Sequence, residues 1–175
     1  MGEKKMACGM LLAAMILAGA SPLAAQQKKD YLSATEADKI RDADSTAQRI
    51  KLFVAFAADR LKKLQYELSR PPSEDRRRAE RLNGLLNAYT GCVDDAAELI
   101  EVGLNGQEDI RGGIKEMQSK EREFLAYLEG LAKNGPELAS YKDNLDDAIE
   151  ATRDALKEAA KAAKANAPPP VRRRP

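Results

Sequence analysis

Apolar side chains recur along this chain in alternating steps of three and four residues. Ala47, Ile50, Val54, Ala57, Leu61, Leu64 and Leu68 make up three heptads of this kind. Such spacing lines one face of a helix, and a strand cannot produce it. Phe53 and Phe56 widen the stripe to the breadth a bundle helix needs. A helix over 46–69 is therefore predicted, stopped by Pro71-Pro72, which donate no amide and disfavour helix before them. The rhythm returns in Leu82, Leu85, Tyr89, Cys92, Ala96 and Leu99, with Leu86, Val93 and Ile100 alongside. It appears again in Ile110, Ile114, Met117, Phe124, Leu128 and Leu131. A last stretch, 136–165, repeats it from Leu138 and Tyr141 through Leu145, Ile149, Thr152 and Leu156 to Ala159, and its Ala/Lys end is expected to fray.

Between these stripes stand start and stop signals. Ser33-Ala34-Thr35-Glu36 has the form of a capping box and predicts a short helix over 34–43. Ser45-Thr46-Ala47-Gln48 repeats it after a kink near Asp44. Ser73, followed by Glu74 and Asp75, suits the start of the third long helix. Asn134-Gly135-Pro136 places Gly past one helix end and Pro at the first position of the next. Gly103-Leu104-Asn105-Gly106 reads two ways. Asn-Gly favours a turn and a new helix near Glu108, yet the stripe passes through Gly103, Gly106, Ile110 and Gly113 without losing phase. The turn is the preferred reading. It gives an all-α fold: an up-and-down antiparallel four-helix bundle over 33–165 with a short extra N-terminal helix. The alternative is an elongated helical hairpin with one long continuous central helix.

What precedes the helices changes the setting. Glu3-Lys4-Lys5, the apolar run Met6–Ala20 and the small residues up to Ala25 follow the order of a secretory signal peptide. The apolar run is too short to span a bilayer, and Pro22 ends it. Removing 1–25 predicts a secreted or periplasmic protein with a flexible lead-in over 26–32. At the other end, 166–175 is a Pro/Arg-rich segment read as an extended, solvated tail.

Composition then narrows the chemistry. Lys and Arg number 29 against 28 Asp and Glu, so no net field draws nucleic acid or anionic lipid. Histidine is absent from the chain, which removes His-based triads, His-ligated zinc and the usual haem attachments. Aromatic residues make up 5% and Trp is missing, so the core is built from Leu, Ile and Ala. Cys8 leaves with the leader, and Cys92 is then the single thiol. On an apolar stripe it reads as a small buried hydrophobe, with an intermolecular disulfide as the sharper option.

Glu121 falls in the fourth long stripe between Met117 and Phe124. A carboxylate there either faces the core, where it fixes register or marks a site, or sits at the stripe's edge. Asp94, Asp95, Glu98 and Glu101, like Asp143, Asp146, Asp147 and Glu150, lie within helices and read as solvated faces. The run Arg76-Arg77-Arg78 is balanced by neighbouring acids. Arg172, Arg173 and Arg174 on the tail could make at most weak contact with a membrane surface, wall polymer or acidic partner.

No catalytic, cofactor or metal residues are predicted. The expected function is that of an exported, non-catalytic helical protein, an envelope interaction or scaffolding module acting through a helix face. A protein partner is expected, nucleic acid is not, and self-association stays open. The alternative is a periplasmic holdase-type chaperone with exposed apolar patches. A carboxylate-based hydrolase using Glu121 has the least support.

Overall fold

The computed structural model describes residues 31–71 and 76–165. The leader, 26–30 of the lead-in, the Ser73 cap and the tail with Arg172, Arg173 and Arg174 lie outside the described residues. Within them the elements are α1 (Ala34–Arg41), α2 (Thr46–Ser69), α3 (Arg76–Asn105), α4 (Arg111–Asn134) and α5 (Lys142–Ala165), with a 3-10 turn at Leu138–Ser140.

Local chemistry sets the first boundaries. Ser33 Oγ accepts the Glu36 amide at 3.3 Å, while the Ser33 amide donates to Glu36 Oε2 at 2.9 Å, closing the box that starts α1. Ser45 Oγ accepts the Gln48 amide at 3.3 Å at the start of α2. Arg70, held extended before Pro71 (ψ 151°), ends that helix.

The four long helices pack as a ring, α2 on α3, α3 on α5, α5 on α4 and α4 on α2. Consecutive helices α3 and α4 therefore lie across the diagonal, as do α2 and α5. The expectation of antiparallel neighbours holds for α2/α3 and α4/α5. The pairs α2/α4 and α3/α5 run parallel: Asn83 meets Asn144 and, one to two turns further along both helices, Tyr89 meets Thr152.

The α3–α4 connection explains the diagonal. Gln107 takes the left-handed conformation (φ 54°). Its amide donates to the Leu104 carbonyl at 3.1 Å, and the Glu108 amide donates to the Gly103 carbonyl at 2.9 Å. This nested pair is a Schellman end, so α3 stops at Asn105 and the long continuous helix is not formed. Ile110, fully buried, then drops its side chain onto Gly103, where a Cβ would leave it no room. Helix α4 begins at Arg111, three residues later than the spacing suggested. Glu108 is instead turned toward α2, where its carboxylate accepts the Thr46 amide at 3.4 Å.

The α4–α5 connection also departs from expectation. Pro136 does not open α5. Glu137 is left-handed (φ 53°), a 3-10 turn follows, and α5 starts at Lys142. Two contacts hold this path: Tyr141, buried, donates its hydroxyl to the Pro136 carbonyl at 2.9 Å, and Arg78 Nε donates to Glu137 Oε2 at 3.1 Å. The end expected to fray remains helical through Ala165, with Ala159 and Ala162 buried.

The core follows the predicted stripes with one small rotation. On α3, Leu82, Leu86, Tyr89, Val93, Ala96 and Ile100 are buried, while Leu85 and Leu99 are half-buried. Tyr31 and Leu32, the last residues of the expected lead-in, also pack on the core.

Two glycines should respond oppositely to substitution. Gly130→Ala puts its Cβ into open space on an exposed turn of α4 and should stabilise the fold by about 0.5–1 kcal/mol. Gly103→Val must displace Ile110 and should destabilise by about 1–3 kcal/mol. Urea unfolding midpoints of the two variants check this directly.

Candidate functional site

Parallel packing of α2 and α4 is tight at one end and loose at the other. Gly113 lies against the start of α2, where a Cβ would stand 3.1 Å from both the Ala47 carbonyl and Ile50. Beyond this approach a groove of about 660 Å³ opens between the helices. Its α2 wall is the stripe Lys51, Ala55, Ala58 and Lys62; its α4 wall is Glu116, Lys120, Glu123 and Tyr127. Each wall spans 11 residue steps along one face, roughly 16 Å of helix. The floor is Val54, Leu61 and Phe124, all buried. Small side chains at 55 and 58 make the depression. Lys120 pairs with Glu123 at 3.1 Å, and both side chains are well exposed.

Behind this floor the core turns polar. The Phe124 ring meets Tyr89 edge-on, with centroids 6.0 Å apart and planes at 80°. Tyr89 and Thr152 share a 2.6 Å hydrogen bond between α3 and α5. The Thr152 hydroxyl is also 2.6 Å from the Ala148 carbonyl, to which it donates. Glu121 enters from α4. It is 1% exposed, and among the described residues neither carboxyl oxygen has a hydrogen-bond partner. Burial pushes its carboxyl up to about 8, so it is held neutral under mildly acidic conditions. Burial likewise raises the Tyr89 phenol, and the Glu121 charge adds to that shift.

Of the two readings of Glu121, the structure places it inward. Cys92 is fully buried one turn beyond Tyr89 on α3, out of reach of an external thiol. Most of the acidic sets face solvent, but Asp95 is 8% exposed and accepts the Tyr31 hydroxyl. Among the described residues no group of His, Cys, Asp and Glu could hold a metal ion, and no helix is long and apolar enough to cross a membrane.

Two buried arginines were missed. Arg60 donates to both Glu36 oxygens (2.7 and 2.8 Å), to Asp59 Oδ2 (2.8 Å) and to the Tyr31 carbonyl (3.0 Å). It thereby fastens α1 and the segment before it to α2. This pairing brings the Glu36 carboxyl down to about 2 and raises Arg60. Arg78, expected to be balanced by acids beside it in the sequence, is 3% exposed. It donates to the Arg70 and Pro71 carbonyls (3.1 and 3.2 Å) as well as to Glu137. One guanidinium thus joins the end of α2 to the α4–α5 connection, satisfying carbonyls a helix end leaves unpaired. A signal existed for each: Arg60 extends the Phe53, Phe56 stripe by four residues, and Arg78 precedes Leu82 by four.

With this geometry in view, comparison with known proteins gives no match among family models, curated proteins or solved structures.

The two shifted carboxyls predict a stability maximum at mildly acidic pH. Glu121 ionises near 4.5 in the unfolded chain but near 8 in the fold. Its contribution is complete below pH 4.5 and is lost as pH rises toward 8. Glu36 acts in the other direction, contributing above pH 4.5 and losing that contribution as pH falls toward 2. Each tenfold change in proton affinity is about 1.4 kcal/mol, so the alkaline decline should reach a few kcal/mol. Glu121→Gln should flatten that limb and leave the acid limb in place, as measured by urea unfolding across the pH range.

Proposed function

We propose that this chain is an exported, non-catalytic interaction or scaffolding module that engages a protein partner through its α2–α4 face. The α2–α4 groove carries the reading. A cleft of about 810 Å³ between α4 and α5 is lined mostly by charged side chains, and one of about 410 Å³ lies between α2 and α3, whereas here Val54, Leu61 and Phe124 form an apolar floor between two walls of equal length. Export rests on the order of charge, apolar run and small residues in 1–25. The Arg172, Arg173 and Arg174 segment would add a secondary, weak contact with an acidic surface.

The holdase alternative asks for extensive exposed apolar surface. Among the described residues only Tyr66 (65%) and Val102 (48%) are largely exposed large apolar side chains. They lie on different helices and do not form a cradle. A confined groove favours a particular partner over unfolded clients in general.

A photo-crosslinking amino acid at Ala55, within the groove, should capture a discrete protein from the cell envelope. The same group at Lys161, on an exposed face of α5, should not. Equal capture from both sites, or broad suppression of client aggregation by the purified protein, would favour the holdase.

A further inference from the structure

The groove walls differ in charge. On α2, Lys51 and Lys62 stand three turns apart on one stripe, both exposed, and among the described residues neither meets a carboxylate. On α4, Lys120 is already paired with Glu123, and Glu116 adds a further negative charge. One wall therefore offers two uncompensated positive charges, while the other is balanced to acidic.

Size and shape restrict what could lie between them. Both walls run for about 16 Å, or three helical turns. Ala55 and Ala58 allow close approach of a backbone, as small residues do where helices pack. A trough with an apolar floor between two parallel helices accepts a third helix by its apolar face, with anchors at i, i+4, i+7 and i+11. A lipid tail or small amphiphile would be poorly enclosed, since small-molecule sites bury most of their ligand.

We propose that the α2–α4 groove seats an amphipathic helix of a partner protein whose acidic residues lie along the flank facing α2. The lysines fix its orientation: turned end for end, the same helix would set its acids against Glu116 and Glu123, where like charges repel. The inference rests on the α2–α4 face being the interaction surface and specifies the chemistry of what binds there.

The test uses the processed full-length protein and a labelled synthetic helix of about 15 residues. This probe carries Leu at the anchor positions and Glu along one flank. A sister peptide has Lys in place of those Glu residues, and vesicles of anionic phospholipid form a third arm. Fluorescence anisotropy should show binding of the acidic peptide, weakened by salt, and little binding of the basic one. The double variant Lys51→Glu, Lys62→Glu should lower acidic-peptide affinity by about tenfold or more and shift the preference to the basic peptide. Ala55→Arg should abolish binding despite its added positive charge, because it fills the depression. Circular dichroism confirms that these exposed substitutions leave the helices intact.

Equal affinity for both peptides, no inversion by the double variant, or tighter binding by Ala55→Arg would overturn the proposal. So would lysine-dependent binding of the vesicles without binding of the acidic peptide. If crosslinking at Ala55 still captures a protein while the acidic peptide fails, the face is right and the partner's chemistry wrong. If that capture fails as well, the interaction-module reading falls with it.

Discussion

The five-residue connection between α3 and α4 determines how the rest of the molecule is arranged. Had it joined adjacent helices, the bundle would have gone round in chain order, with every neighbour antiparallel. Instead the Schellman end at Gln107 turns the chain inward, and Ile110 seats itself over Gly103 at the end of the core. Helix α4 then emerges beside α2 rather than α3. Two helices that begin at the same end of the bundle become neighbours, close at Gly113 and open further along. The groove is thus a consequence of topology, and the turn that sets it is held by the hydrogen bonds of the Gln107 and Glu108 amides, the Glu108–Thr46 bond and the seating of Ile110 on Gly103.

A core built this way has few large side chains with which to fill its middle. Tyr89 and Phe124 meet across the diagonal and take up that space, but a tyrosine brings a hydroxyl that must be paired. Thr152 provides the partner from α5. Glu121 has no such provision. A buried carboxyl without donors is tolerable only as the neutral acid, so its raised affinity for protons follows from its position. The arginines show the opposite solution: Arg60 and Arg78 are also buried, though less completely, and their guanidinium groups find carboxylates and carbonyls on several segments. Burying a charge costs little where each donor meets an acceptor, and much where none does.

Much of the fold was legible because it depends on periodicity and punctuation. The stripe from Ala47 to Leu68, the Ser33–Glu36 box and the stop before Pro71 are local facts, and the structure repeats them nearly residue for residue. The diagonal arrangement was not legible, since a short connection does not say which neighbour it leads to. The start of α5 was misplaced for a related reason. Pro136 is well suited to a helix start, but Arg78, 58 positions earlier in the chain, holds Glu137 in a conformation that delays it. The spacing of Glu121 allowed both an inward position and one at the stripe's edge, because helix phase drifts along a stripe, and only the packed bundle decides between them. The groove itself could not have been read, because it needs Ala55 and Ala58 on one helix to face Tyr127 on another.

The surface and the core also divide the work between them. Glu121 and Cys92 are both buried in the core, away from solvent. On the proposed reading, selectivity comes from what solvent can reach, and on an exterior of nearly balanced charge several lysines are answered by an acid one turn away on the same helix. Lys142 with Asp146, Lys157 with Asp154 and Lys161 with Glu158 follow this pattern. A self-neutralised surface attracts little from a distance and adheres weakly to everything. Lys51 and Lys62 are among the described lysines without such a partner, and what sets them apart is their place three turns from each other beside an apolar floor. On the proposed reading the information lies in the spacing rather than in the total charge, so that an almost neutral surface discriminates between helices of opposite flank charge.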